Sequence, residues 1–323
     1  MSDDDHYVQQ RGRLFADFLA TPPDGSIAVS DLGTGHAASS ARRIFLELGL
    51  DAKDITFQAP IDEHIVQLNA WQPYVLFTMP MILDQILQSP RELTARPRKI
   101  IVVGDLAPPL WRANVAARFG IEFEDVLDVV GSIEIGAIAY SDVQSGRYVF
   151  HDHIIAEVTD HPSLVGAQPQ CRDHGDGMLV LTSLTRDYFP AIRYVTGDLI
   201  SGLQRRELNG RTVTTCDRIL GRVSGDVKHG ERISSYDLSQ AMAKVFPGHA
   251  FEVIDDKTLC IRVVTEVVTE GERLALQDAI RAAAPDVATM LDAGLVGSID
   301  VVAISVDALL SGRAKRRFNL PGN

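Results

Sequence analysis

Residues 178–199, MLVLTSLTRDYFPAIRYVTGDL, are where a generic α/β sequence becomes a specific one. The first five residues are a short apolar run with β-branched Val180 and Thr182, the pattern of a buried strand. Arg186, Asp187 and Pro190 mark a loop, and Ile192, Arg193 and Tyr194 open a second extended segment. That segment is expected to end at Thr196, Gly197 and Asp198, where the glycine permits a tight turn and leaves a carboxylate at the strand end. Asp198 is thus either a ligand contact or an ordinary turn residue.

Upstream of this stretch, strands and helices alternate. The periodicity predicts helices over 4–19, 37–48, 62–70, 81–87 and 110–119, and strands over 26–29, 55–58, 74–78, 99–103 and 124–130. Such alternation implies an α/β fold whose large domain is built on a mostly parallel sheet. Extended runs over 140–159 flank a turn at Ser145 and Gly146, which adds a hairpin to the sheet. Gly33 and Gly35 open the helix that begins at Ala37, but Ala38 stands where a dinucleotide fingerprint needs its third glycine, so that reading is rejected. After Arg222 come Ser224, Gly225, Asp226 and Gly230, a hinge-permissive run. The pattern then changes: helices over 235–245 and 271–284, with strands over 251–254, 258–264 and 298–306, make a smaller α+β unit. Residues 1–222 and 223–323 are therefore expected to form a large domain and a mobile C-terminal domain.

Composition bounds the function. The 323 residues are 46% hydrophobic and 23% charged, enough apolar content for two proper cores. A net charge of −12 argues against a nucleic-acid partner. No apolar run nears the roughly 20 residues of a membrane helix. The start, MSDDDHYVQQ, is polar, acidic and unlike a signal peptide, so a complete cytoplasmic chain is expected. Cys171, Cys216 and Cys260 are too scattered for a disulfide framework or a zinc site. The densest basic group is Arg313, Lys315, Arg316 and Arg317, near the C-terminus.

The 178–199 stretch resembles the adenylate-forming superfamily, and within it the phenylacetate-CoA ligase branch. Members of that branch carry a Leu-Val-x-Thr-x-Leu-Thr…Pro…Ile-Arg-Tyr-x-Thr-Gly-Asp segment. The resemblance implies that Asp198, with Arg222, binds the ribose hydroxyls of an adenylate. It places Val130, Gly131, Ser132, Ile133 and Glu134 on the family's Tyr-Gly-x-Ser/Thr-Glu loop, which makes Glu134 the Mg²⁺ carboxylate. It also sets Gly104 and Asp105 beside an acyl pocket, and matches Asp152, His153, Glu157 and Val158 to an Asp-His-x-x-x-Glu-Ile segment. His153 is either a base or a packed, hydrogen-bonded residue. The string from Ser311 to Arg316 resembles Glu-Gly-Lys-Ala-Lys-Arg, whose first lysine serves adenylation. Arg313 takes that place, and Lys315 substitutes only through a register shift.

The departures from the family pattern fall together. No Ser/Thr/Gly-rich phosphate loop occurs in the 323 residues, Val130 replaces the adenine-stacking aromatic, Ile133 replaces a phosphate-binding hydroxyl, and Arg313 replaces a lysine. All four serve the ATP half-reaction, so Mg²⁺ and ATP are not expected as cofactors. The resemblance then implies an acyltransferase. It would take an aromatic acyl group from a coenzyme A thioester to the phosphopantetheine of an acyl carrier protein, a nearly thermoneutral exchange. Such relatives stand beside separate aryl-CoA ligases in aromatic-primed polyketide pathways, as in anthraniloyl transfer during aurachin assembly. The basic cluster at 313–317 would dock the carrier. The alternatives are an ATP-dependent aryl-CoA ligase, truncated or split between chains, and a non-catalytic protein that binds an acyl-CoA or an adenylate.

Overall fold

The computed structural model describes residues 2–32, 35–56, 58–160, 171–188, 190–223, 227–229, 231–255, 258–310, 315–316 and 318. Helix α1 (Asp3–Leu19) starts at Ser2, whose hydroxyl accepts the Asp5 amide while the Asp5 carboxylate accepts the Ser2 amide. It buries Val8, Phe15 and Leu19, spaced for one helical face. Phe15 stacks on Phe45 at 5.7 Å and meets Phe77 edge-on at 5.4 Å, tying α1 to the main core.

The βα rhythm follows as β1 (Ile27–Leu32), α2 (Gly35–Glu47), β2 (Asp51–Thr56), α3 (Ile61–Trp71), β3 (Val75–Thr78), α4 (Pro80–Gln88), β4 (Lys99–Val103), α5 (Pro109–Phe119) and β5 (Val126–Ser132). These strands lie in the order β2-β1-β3-β4-β5, all parallel. The interior positions of β1, β3 and β4 are almost wholly buried, as expected for central strands of a sheet covered on both faces. Loops leaving their carboxyl ends open on one edge, where open α/β sheets receive ligands.

Beyond β5 the same sheet turns antiparallel. Strands β6 (Gly136–Asp142), β7 (Arg147–Phe150), β8 (Ile154–Thr159), β9 (Gly175–Ser183), β10 (Tyr194–Leu208) and β11 (Arg211–Cys216) continue it in the order β5-β6-β7-β11-β10-β9-β8. A further strand, β12 (Arg218–Arg222), pairs with β10. The expected end of the 192–198 segment is corrected here. Strand β10 runs for 15 residues, and Gly197 at φ +79 makes a register irregularity inside it rather than a turn after it.

The C-terminal unit has its own core. After the ribbon β13 (Val227–His229) and β14 (Glu231–Ile233) come α6 (Ser235–Val245), β15 (Phe251–Asp255), β16 (Leu259–Val264), α7 (Glu270–Ala283), α8 (Pro285–Asp292) and β17 (Ile299–Ile304). Leu238, Met242 and Phe246 pack with Phe251, Val253, Ile261, Val263, Leu276 and Ile280 in one cluster. The fold is thus α/β with a large central sheet and a smaller three-stranded C-terminal sheet. Among the described α-helices α8 is the one the periodicity missed, because Pro285 only restarts a helix that α7 had just ended, and strands β11 to β14 were missed as well.

The two cores meet over α4 and α5. Met81 packs against Ala250 and Val264, and the Gln88 amide donates to the Val264 carbonyl and accepts the Ala250 amide at 3.0 and 3.1 Å. Asn114 donates to the Ala243 carbonyl at 2.7 Å. A cleft of about 1550 Å³ lies beside this seam, walled by α4 and α5 on one side and by residues 247–249 and 303–307 on the other. Among the described residues no helix is long and apolar enough to cross a membrane. The three cysteines are free, and burial pushes the Cys216 thiol up to about 12.

Candidate active site

Asp198 lies inside β10 at the irregularity, where its carbonyl-to-amide pairing with β9 is interrupted and its neighbour across the sheet is Arg222 of β12. Arg222 Nε donates to Asp198 Oδ1 at 3.1 Å. The Asp198 amide donates to Thr196 Oγ1 at 3.0 Å, a local bond that fixes the kinked backbone. Burial raises the Asp198 carboxyl above its usual range, and Arg222 and Lys315 act against that rise. With one oxygen on Arg222, the carboxylate can accept hydroxyl donors on the other.

Glu134 sits in the turn between β5 and β6 and is exposed. Hydrogen bonds from its own backbone amide and from Ser132 hold its carboxyl below the usual range, and Arg222 and Arg186 add to the effect. It is ionised at neutral pH and within electrostatic reach of Asp198. Among the described residues no group of three or more His, Cys, Asp or Glu side chains is arranged to hold a metal. A lone anionic carboxylate suits Mg²⁺, which binds through one or two carboxylates plus substrate phosphates.

Gly131 is the fixed point of this turn. A Cβ there would stand 2.8 Å from Arg11 Nη2 and 2.8 Å from the Gly136 carbonyl oxygen. Arg11 is fully buried and donates to the Val130 carbonyl at 2.5 Å, so the guanidinium occupies the space a side chain would need. Val130 itself packs against the core formed by β6, β8, β9 and β10, while Ile133 is 77% exposed and lends its carbonyl to Arg186. Position 130 is therefore a packing position here.

The fourth member comes from the far end of the chain. Lys315 Cε lies 3.7 Å from where a Cβ on Gly104 would be, directly after β4. Gly104 has φ +84, and any side chain would also meet Met79 at 2.9 Å. Lys315 is exposed, and its charge acts on Asp198. Lys315 of the C-terminal string thus reaches this edge. Arg313 and Arg317 lie outside the described residues, as do Ser224, Gly225, Asp226 and Gly230 of the expected hinge.

Arg316 corrects another expectation. Its side chain is 1% exposed, not part of a solvated patch. It pairs with Asp84 of α4 and with Asp105 at 3.5 Å, while its amide donates to Asp105 Oδ2 at 3.0 Å. A buried guanidinium cannot offer itself to a carrier surface.

His153 is placed in other company. Its Nε2 donates to the Ala137 carbonyl at 3.0 Å and its ring lies 5.5 Å from that of His151. Burial, with the nearby Arg11, holds it neutral down to about 4. No described contact joins it to Glu134, Asp198 or Lys315. Glu157, from the same segment, is taken by Arg193 in a two-pronged pair at 2.7 and 3.0 Å that clamps β8 to the start of β10.

Sequence reasoning missed Arg11, Asp84 and Arg186. Asp84 left a signal: it is the one charge in PMILDQILQ, a helix buried on nearly every side, and a buried acid needs a partner. Arg11 left none, because its polar neighbours in α1 give it the look of a surface residue.

A large central sheet with a smaller C-terminal sheet unit is the architecture of the adenylate-forming enzymes. The fold matches a 2-hydroxyisobutyryl-CoA ligase bound to an acyl adenylate, at a TM-score of 0.73 and 19% identity, over 99% of this chain and 70% of that one. A benzoate CoA ligase from Burkholderia xenovorans matches at 0.63 and 16% identity, over 97% of this chain and 64% of that one. In sequence, a fumarate–(S)-2,3-diaminopropanoate ligase of Enterobacter agglomerans is 40% identical over 321 residues, 98% of this chain and 80% of that protein. Residues 228–307 match the family described as fumarate–diaminopropanoate ligase C-terminal domain. The chain belongs to the fumarate–diaminopropanoate ligase family.

This relationship overturns the ATP-free acyltransferase. A relative matched across nearly the whole chain is a ligase, and the solved structures that share the fold include adenylate-forming enzymes. The expectation that ATP plays no part falls with it, as do anthraniloyl transfer and polyketide assembly as its setting. Only the superfamily stands from that line of reasoning, supported also by a 26% match over 147 residues to a phenylacetate-CoA ligase of Aromatoleum evansii.

Proposed function

We propose that this chain carries out ATP-dependent ligation of a small dicarboxylic acid of fumarate's class to the amine of an amino acid. The observation that carries the reading is the meeting of Asp198, Arg222, Glu134 and Lys315 at one edge of the sheet. In this reading Asp198 accepts the ribose hydroxyls and Arg222 holds that carboxylate ionised and aimed. Glu134, with phosphate oxygens, would hold Mg²⁺, which neutralises charge on the leaving pyrophosphate. Lys315 stabilises the negative charge that gathers as the acid's oxygen attacks the α-phosphorus and the bond to pyrophosphate breaks. The amine then attacks the acyl carbon, AMP departs with the bonding pair, and the amine proton is lost to solvent or a base.

The relative's name supplies the substrate class, since that protein joins fumarate to (S)-2,3-diaminopropanoate. The division into 1–222 and 223–323 belongs to the same reading, supported by the separate apolar cluster that begins at Ile233. The test is pyrophosphate exchange into ATP, with fumarate and then with succinate, maleate and benzoate, followed by AMP release on addition of diaminopropanoate. Exchange with fumarate and amine-dependent AMP release support the reading. Exchange with no acid at all would sink it.

A further inference from the structure

Lys315 and Arg316 are consecutive, and so are the residues they meet: Lys315 lies over Gly104, and Arg316 binds Asp105 through both its amide and its guanidinium. We infer that Arg316 is a positioning residue, whose burial between Asp84 and Asp105 sets Lys315 in register with the site. The inference rests on the ligase reading, and goes beyond it in assigning a task to the neighbour of the lysine.

The socket is built for a guanidinium. One nitrogen reaches Asp84, another donates to the Leu106 carbonyl at 2.9 Å, and the Trp111 and Phe251 rings lie 5.9 and 5.4 Å from the guanidinium carbon. Trp111 Nε1 donates to the other Asp84 oxygen at 2.9 Å, so that carboxylate is held from two sides. Every group but Phe251 belongs to the large unit. Without Arg316 the large unit would hold two neighbouring acids out of water with no cation between them, an arrangement proteins avoid. Burial raises the Asp84 carboxyl, Asp105 raises it further, and Arg316 and Trp111 work against both. A lysine ammonium has the charge, but it lacks the planar fork that reaches two carboxylates and a carbonyl together.

Seating is therefore coupled to charge. When Arg316 enters, the residue before it is carried to Gly104, with Lys315 Cε 3.7 Å from where a Cβ there would stand. Lys315 is exposed and held by no hydrogen bond of its own among the described contacts, so its placement depends on its neighbour.

A double-mutant cycle tests this, with acyl-adenylate formation from fumarate as the readout and thermal unfolding as the check on fold. Lys315→Ala is expected to lower the rate about 100-fold or more, the loss typical of one charge-stabilising donor. Arg316→Ala is expected to cost a similar factor in kcat, with the KM for ATP changed less than about threefold. In the Lys315→Ala background the same change should cost under about threefold, since its partner in function is already gone. Arg316→Lys should remain impaired, and Asp105→Asn gives a milder loss if Arg316→Ala does not fold. Additive losses with Lys315→Ala would overturn the inference while leaving the ligase reading intact. An active Arg316→Ala protein would do the same. A wild-type chain with no exchange would remove both.

Discussion

Asp198 and Arg222 are register partners across β10 and β12, and their side chains close the same pair at 3.1 Å. Strand pairing thus places the ion pair, with no dependence on loop geometry. The pair is partly exposed, so it adds little to stability. In the proposed reaction it holds one carboxylate oxygen and leaves the other for the ribose.

Asp198→Asn should accordingly leave the melting temperature nearly unchanged and raise the KM for ATP. A lost hydrogen bond to a charged group is worth roughly 1.5–3 kcal/mol, or about 10- to 150-fold. Initial rates of pyrophosphate release against ATP concentration measure it. A shift in the KM for the acid with that for ATP unaltered would place Asp198 elsewhere in the reaction.

Glu134→Gln keeps the size of the side chain and removes the anion. The Mg²⁺ concentration that gives half-maximal rate at fixed ATP should rise about tenfold or more, because Glu134 is the carboxylate that would hold the metal beside the substrate phosphates. An unchanged Mg²⁺ titration would mean that Glu134 does not face the metal.

Gly131→Ala adds one methyl where two atoms already stand at 2.8 Å, one of them backbone. The backbone cannot yield as the Arg11 side chain can, so β5 and β6 must part at the turn that carries Glu134. A loss of roughly 1–3 kcal/mol in denaturant unfolding is expected, with weakened Mg²⁺ dependence beside it. Wild-type stability in this variant would show that the turn has room.

Much of the fold was legible because apolar spacing is a local property. The strand KIIVV and the helix that opens at Pro109 both appear where the pattern put them. The course of β10 was not legible, since Gly197 has the same positive φ in a turn and in a bulge, and only the partner strand decides between them. At the candidate site, Asp198 and Glu134 are the residues that short strings offer. The place of Lys315 over Gly104 is not legible in that way, because the socket of its neighbour Arg316 is closed by acids some 210 to 230 residues away in the chain. Reading Arg316 as surface charge failed for the same reason. The missing phosphate loop also misled, since a segment absent from 323 residues says nothing about chemistry that a 40% identical ligase performs.

The pH dependence of stability should come from the cluster behind β6. Burial first, then the charge of Arg11, holds the His151 imidazole neutral down to about 3, and burial holds His153 neutral to about 4. Unfolded, both titrate near 6.5. As pH falls below about 6.5 the unfolded chain therefore gains two protons that the folded chain refuses, and stability declines by on the order of 1 kcal/mol per histidine per pH unit. Asp128 acts the other way. Burial pushes its carboxyl up to about 6 despite Arg112 and Tyr148, so between pH 6 and 4 the folded chain takes a proton that the unfolded chain does not. Within this cluster two protons outweigh one, so between pH 6.5 and 4.5 the wild-type urea midpoint should drop relative to that of a protein lacking both histidines, since Asp84 and Asp198, whose carboxyls burial also raises, act equally in both. In His151→Gln/His153→Gln only the Asp128 contribution remains in this cluster, so the midpoint should level off or rise over the same interval. Parallel declines in the two proteins would show that the histidines are charged in the fold, and that the acid sensitivity arises elsewhere.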